Sequence, residues 1–251
     1  MFKEFEKTCS LLAQESSKII KQYFRQKINV DYKSDNSPVS TADLKAEEIM
    51  RNIIEKEFPG HGILGEEFGH HKPNAEYQWI LDPIDGTKSF VCGSPQFGTL
   101  IALTKNGEPI LGVINLPMFD HFLIGDNSTA KLNDEIVKIR ECNSLKDATL
   151  LFTDSFNVEK YQDIEKFKKL ISSVRLYRDL GDCYGYYLLC TGYADIMIDP
   201  IMNYWDLAAL IPIVKGAGGT ITDIKGNNVN KKDSVIAAST IIHPQVLEML
   251  S

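Results

Sequence analysis

The strongest chemical signal is Asp82-Pro83-Ile84-Asp85-Gly86-Thr87, directly after the apolar run Trp79-Ile80-Leu81. Two carboxylates three residues apart leave the end of an expected strand, and Gly86-Thr87 starts a new element. An Asp-Pro turn followed by an Asp-Gly turn is a sufficient structural reading, since both dipeptides are common in loops. A strand end feeding a glycine-containing turn is also where oxyanions bind, because backbone N–H groups point outward there. Carboxylates beside an anion site repel the anion unless a cation stands between them. A hard divalent ion with oxygen ligands, Mg²⁺ above all, supplies that cation.

Three more acids have positions that ask for an explanation. Glu66 follows the apolar Ile63-Leu64 in Gly65-Glu66-Glu67, which also reads as a solvated acidic turn. Asp206 precedes the apolar run LAALIPIV, where a helix N-cap is the plain alternative. Asp43 stands three residues before Ala46 and seven before Met50, on the apolar face of an expected helix. A buried carboxylate is costly without partners, so Asp43 either caps its local turn or orients a hydroxyl or a water. Together Glu66, Asp82, Asp85 and Asp206, with Asp43 and Thr87, form an acid-rich set spaced along the chain. Pro83 stands two before Asp85, which excludes a phosphatase whose nucleophilic aspartate needs a second one at i+2. No D-x-D-x-D-G loop of the EF-hand kind is present.

The elements that must position these residues can be outlined from periodicity. Phe2, Phe5, Cys9, Leu12, Ile19 and Tyr23 recur at helical spacing. DYKSDNSPVS reads as a loop, after which Ser40 or Thr41 caps a second helix with Ala46, Ile49, Met50, Ile53 and Ile54 on its apolar face. Short strands follow (WILD, GTLIALT, ILGVIN and HFLIG), with Asn106-Gly107 a hairpin signal. Polar segments near 126–135 and 141–147 separate this region from the rest. Beyond residue 148 strands (ATLLFT, VRLYR, ADIMID, GTITD, SVIAAS) alternate with helices near 158–172, 182–191 and from Asp206, the last kinked or interrupted by Pro212. The expected division is an N-terminal lobe, 1–141, with most metal ligands, and a C-terminal α/β lobe, 142–251, completing the site in one compact unit.

Composition sets the outer limits. The 251 residues carry 34 acidic and 27 basic side chains, a formal charge of −7, and 43% are hydrophobic. That is enough for a proper core, and it argues against nucleic acid or an anionic membrane as partner. No apolar run approaches the roughly 18 residues of a spanning helix, and the N-terminus lacks a signal-peptide core, so a soluble cytoplasmic enzyme is expected. The five cysteines are scattered without a C-x-x-C pair and read as unpaired, Cys9 and Cys190 as core residues.

With these residues in view, the chain resembles the inositol monophosphatase superfamily of metal-dependent phosphomonoesterases. The motifs are SPVSTADLKAE at 37–47, GEE at 65–67, WILDPIDGTKSF at 79–90 and NYWDLAALIPIVKGAGGTITD at 203–223. The resemblance implies an α/β (α+β) fold, a layered α/β/α/β/α sandwich, with two or three Mg²⁺ ions. By position, Glu66, Asp82, the Ile84 carbonyl and Thr87 would surround one ion, and Asp82, Asp85 and Asp206 a second. A third would lean on Glu66. Gly86 and Thr87 N–H groups would hold phosphate oxygens, and Asp43 would pair with the Thr87 hydroxyl to help activate water. Lys88 and Ser89 stand where many relatives carry other residues.

Within the superfamily, KSFVCGSPQFGTLIAL at 88–103 and GDCYGYYLLCTGYADIMID at 181–199 look most like the histidinol-phosphate phosphatase branch. That substrate carries an ammonium and an imidazole, which carboxylates and an aromatic wall would suit. Asp182, Asp199 and Tyr184 are the candidates, with capping of the following helix the alternative for Asp182. Histidinol phosphate is thus expected ahead of inositol phosphate, and nucleotide 3′-phosphates well behind. A metal-binding protein without catalysis is the contrasting class, for which Asp43 and Thr87 have no use. Relatives imply a homodimer acting on a small phosphate ester.

Overall fold

Apolar side chains fall on both sides of the strands, so each sheet needs cover on two faces. The computed structural model describes residues 2–26, 30–32, 38–229 and 233–250, and in it three helical layers supply that cover. The chain begins with α1 (Phe2–Tyr23), β1 (Val30–Tyr32), β2 (Pro38–Ser40), α2 (Thr41–Glu57), β3 (Gly62–Gly65), β4 (Gly69–His71) and β5 (Tyr77–Asp85). It continues through α3 (Thr87–Val91), β6 (Gly98–Lys105), β7 (Glu108–Leu116), β8 (His121–Gly125), β9 (Ala130–Leu132) and β10 (Glu135–Val137). The remainder runs β11 (Thr149–Phe152), α4 (Ser155–Tyr161), α5 (Ile164–Ser173), β12 (Leu176–Asp179), α6 (Asp182–Cys190) and β13 (Ile196–Met202). It ends with α7 (Tyr204–Leu207), α8 (Leu210–Gly216), β14 (Gly219–Thr222), β15 (Asp233–Ser239) and α9 (His243–Leu250).

Eight strands form one sheet in the order β10-β9-β8-β7-β6-β5-β3-β4, and five form another, β12-β11-β13-β15-β14. On the outer face of the larger sheet Trp79, Leu81, Ile101 and Leu103 meet Phe5, Cys9 and Leu12 of α1 and Met50 and Ile54 of α2. Their sequence neighbours Ile80, Leu100 and Ala102 point the other way, onto Leu189 of α6 and Ile213 and Val214 of α8. Leu151, Met197 and Ala237 of the smaller sheet close that middle layer. Leu150, Ile196 and Ile236 face outward onto Phe167 of α5 and Val246 of α9. The order helix, sheet, helix, sheet, helix is the expected layered sandwich. Each fully buried Leu or Ile contributes on the order of 1.5–3 kcal/mol.

Local expectations hold where side chains dictate backbone. Asn106 and Gly107, at φ 51° and 83°, join β6 to β7 in the hairpin their types favour. Ser40 is the N-cap of α2, and Cys9 and Cys190 are buried as unpaired thiols. Elsewhere the structure differs. Ile20 of α1 is buried where Ile19 was expected to be, because the stripe drifts as 3.6 residues per turn requires. The loop expected over 31–40 carries strand residues at both ends, and 33–37 lie outside the described residues. The polar segment 126–135 contains β9 and the start of β10, paired antiparallel. One helix expected within 158–172 is two, α4 and α5, separated where Asp163 caps α5. The helix expected from Asp206 begins at Tyr204 and divides into α7 and α8, with Pro212 in the first turn of α8, where its missing N–H costs nothing.

Candidate metal and phosphate site

Residues three apart on a regular strand point to opposite faces. Asp82 and Asp85 escape that rule because β5 slips against β6: Asp82 pairs with Leu100, but Asp85 pairs with Gly98. Three steps on β5 thus match two on β6, a bulge that turns both carboxylates to one side. Pro83 fits there because it has no N–H for the ladder, and its carbonyl accepts from the Thr99 hydroxyl at 2.8 Å.

Asp206 arrives on α7, which follows β13 of the smaller sheet. It is the N3 residue of a capping box whose N-cap is Asn203, with the Asn203 N–H donating to Asp206 Oδ2 at 2.8 Å. One oxygen each of Asp82, Asp85 and Asp206 lies within 4.8 Å of the others. Burial, followed by the charges of Glu66, Asp85 and Asp206, drives the Asp82 carboxyl well above the usual range. Burial and then Asp182 and Asp206 raise Asp85, against which Cys183 donates its N–H to Asp85 Oδ2. Asp206 is pushed up to about 7 by burial, with Asn203 pulling back and Glu66 adding to the rise. Asp82 is 2% exposed and its Oδ1 has no hydrogen-bond partner among the described residues. Crowded, buried carboxylates with an orphaned oxygen suit a hard oxygen-seeking dication.

Beside the trio, Gly86 adopts φ 85° as the N-cap of α3, a left-handed conformation natural to glycine. The Thr87 hydroxyl donates to the Ile84 carbonyl at 3.0 Å. It therefore does not make the expected pair with Asp43. Asp43 Oδ2 instead accepts from the Ser40 N–H at 2.9 Å and the Ser40 hydroxyl at 2.6 Å, closing the capping box of α2, while Oδ1 is buried with no partner among the described residues. Burial lifts Asp43 to about 6, with the Ser40 bonds opposing.

Glu66 follows β3, its N–H bonded to the Leu81 carbonyl at 3.1 Å, and its charge reaches Asp43, Asp82 and Asp206. Its loop is held by Glu47, which accepts from the N–H groups of Glu67 at 2.8 Å and Phe68 at 3.2 Å and pairs with Arg51 at 2.7 Å. Sequence reasoning missed Glu47, because an Arg at i+4 reads as an exposed helix pair.

A cavity of about 600 Å³ opens against Asp85, Gly86, Thr87 and Asp206 and includes Asp182 and Asp199 in its lining. The alternative for Asp182, capping α6, does not hold: Gly181 takes the N-cap position, and Asp182 is the first helical residue at φ 51°. Its carboxylate instead stands over Gly86, with Oδ2 3.1 Å from where a Cβ there would be. Burial lifts Asp182 to about 6, with Lys88 opposing and Asp179 and Asp154 adding. Asp199 is raised to about 7 by burial, the Thr153 and Tyr186 hydroxyls opposing. Tyr184 stacks on Phe119 with centroids 5.6 Å apart and is not among the described residues lining this cavity. Phe156 is the aromatic residue lining the cavity among those described. Sequence reasoning also missed Lys88, Asp154 and Asp179 as lining residues; the run LLFT-Asp-Ser at a strand end was the available signal for Asp154.

The family model described as the inositol monophosphatase family matches residues 2–251. The bifunctional phosphatase IMPL2, chloroplastic, of Arabidopsis thaliana is 41% identical, over 95% of this chain and 72% of its own length. A histidinol-phosphatase of Chlorobaculum parvum is 38% identical, over 86% of this chain and 84% of its own. The solved structure of an inositol monophosphatase from Zymomonas mobilis superposes with a TM-score of 0.90 at 37% identity, covering 100% of this chain and 98% of that one.

Proposed function

Because the chain belongs to the inositol monophosphatase family, we propose that it is a Mg²⁺-dependent phosphomonoesterase that hydrolyses L-histidinol phosphate to L-histidinol and phosphate. The observation that carries the metal-dependent reading is the buried trio Asp82, Asp85 and Asp206 with an orphaned oxygen on Asp82. These three, with Glu66 and the Ile84 carbonyl, would hold two or three ions. The chemistry that bound Mg²⁺ supplies is neutralisation of the ester's charge and a lowered pKa for an attacking water.

The chain's own residues do the rest by positioning. N–H groups of Gly86 and Thr87, at the start of α3, have no intrahelical acceptor and would hold phosphate oxygens. The Thr87 hydroxyl, which donates to the Ile84 carbonyl, would offer its oxygen to a bound ion. Asp43, fixed by Ser40 through one oxygen, has the other to orient water. Asp182 and Asp199 bring negative charge to the leaving-group side of the cavity, which favours a cationic alcohol over a neutral one. The curated relative from Chlorobaculum parvum supports the choice of ester.

Inositol phosphate hydrolysis is the second reading, supported by the likeness to the Zymomonas mobilis inositol monophosphatase along the whole chain. The family resemblance further supports a cytoplasmic homodimer, which sedimentation of the purified protein checks. Phosphate release from a set of phosphomonoesters, with Mg²⁺ and with EDTA, tests the enzyme reading. Release with Mg²⁺ alone is expected; no release from any ester overturns it in favour of a metal-binding protein without catalysis.

A further inference from the structure

The cavity beside the trio has one charged wall. Asp154 at the start of α4, Asp179 at the end of β12, Asp182 at the start of α6 and Asp199 within β13 line it, and among the described lining residues Lys88 of α3 is the cation. Lys88 Nζ reaches Asp154 Oδ2 at 2.9 Å, joining the start of α3 to the start of α4. Asp154 is fixed in place on both sides. Its N–H donates to Asp179 Oδ1 at 3.2 Å, and that of Ser155 donates to Asp179 Oδ2 at 3.3 Å. Its own Oδ1 accepts from the Phe156 N–H at 3.1 Å, capping α4. Deeper in the cavity Asp199 is 4% exposed, and its Oδ2 has no hydrogen-bond partner among the described residues. A buried acceptor left open in this way calls for a donor from the ligand.

A neutral polyol leaves that wall with unbalanced charge, whereas an alcohol carrying an ammonium or imidazolium matches it. Lys88 already supplies such a charge. It is 72% exposed on a flexible stem, and exposed ion pairs of this kind exchange at little cost.

We propose that Lys88 is a resident surrogate for the cationic end of the leaving group, paired with Asp154 in the free enzyme and exchanged for the substrate's own cation on binding. Asp154 is then a specificity residue, and Asp179 positions it. The proposal rests on the reading of a cationic ester given above. It locates the discriminating charge at the N-cap of α4, on a residue outside the trio.

The test measures inhibition of 4-nitrophenyl phosphate hydrolysis by L-histidinol and by glycerol, in the wild type, Lys88→Met and Asp154→Asn. The readout is the ratio of the two inhibition constants, which cancels any change in phosphate binding. Lys88→Met removes the internal competitor and lowers the L-histidinol constant relative to that of glycerol by about 3-fold. Asp154→Asn raises it by about 10-fold, and Asp154→Glu restores most of the loss. A ratio unchanged in Lys88→Met, or raised there, overturns the surrogate role even if Asp154→Asn fails to fold. The wild-type preference between L-histidinol phosphate and inositol 1-phosphate separately decides the reading on which the proposal rests. A wild type that prefers the cationic ester while the ratios stay fixed overturns the proposal alone.

Discussion

The Glu47 carboxylate occupies the space a side chain on Gly65 would need: a Cβ there would stand 1.9 Å from Oε1. The absence of that atom lets a fully buried carboxylate hold the loop that carries Glu66. Glu47→Gln keeps the shape but loses the charge opposite Arg51 and weakens two N–H bonds. It should lower the unfolding free energy by about 3 kcal/mol and weaken Mg²⁺ activation together. Denaturant unfolding and a Mg²⁺ titration check this, and an unchanged midpoint would contradict it.

Asp85→Asn should lower kcat by about a thousand-fold or more, the several kcal/mol of charge stabilisation expected of such a site. In EDTA the same variant should unfold no earlier than the wild type, because it removes a charge crowded by Asp182 and Asp206. Steady-state rates and thermal melts of one preparation separate the two effects. Near-normal kcat in a folded variant would contradict the role given to Asp85.

Acidity should stabilise the metal-free protein. Asp43 and Asp182 are raised to about 6 and Asp199 and Asp206 to about 7. Each raised acid stabilises the fold fully below its ordinary 3.8, and that contribution is lost as pH climbs through 6 and 7. In EDTA, Tm should therefore fall by roughly 5 °C or more between pH 5 and 8. Mg²⁺ should restore more of it at pH 8 than at pH 5, since it binds the ionised carboxylates. A Tm in EDTA that is flat or rises over this range would contradict the account.

Asp199→Asn should reduce kcat/KM for L-histidinol phosphate about tenfold more than for a neutral ester, as expected for loss of a charge-assisted hydrogen bond. Equal losses on both esters would remove Asp199 from substrate recognition.

What could be read in the sequence follows from how local each constraint is. Asp82-Pro83 and Asp85-Gly86-Thr87 were legible because bulges and left-handed turns demand particular residues. The five layers were expected from the family resemblance, while the residues themselves showed only which segments are strands and which are helices. The β9–β10 hairpin was not, since short strands of mixed polarity carry little periodic signal. Nor was the Asp43–Ser40 capping box distinguishable from a pairing with Thr87 without coordinates. The cavity wall was least legible of all: Lys88 and Asp154 meet across 66 positions of chain, brought together only when two sheets pack on the α6 and α8 layer.

The central claim is a Mg²⁺-dependent hydrolysis whose leaving group is a cationic alcohol. Its most direct test is kcat/KM for L-histidinol phosphate and for inositol 1-phosphate, measured side by side with saturating Mg²⁺. The account predicts that L-histidinol phosphate is favoured by about tenfold or more, the worth of one charge-assisted contact. A preference for inositol 1-phosphate would contradict it.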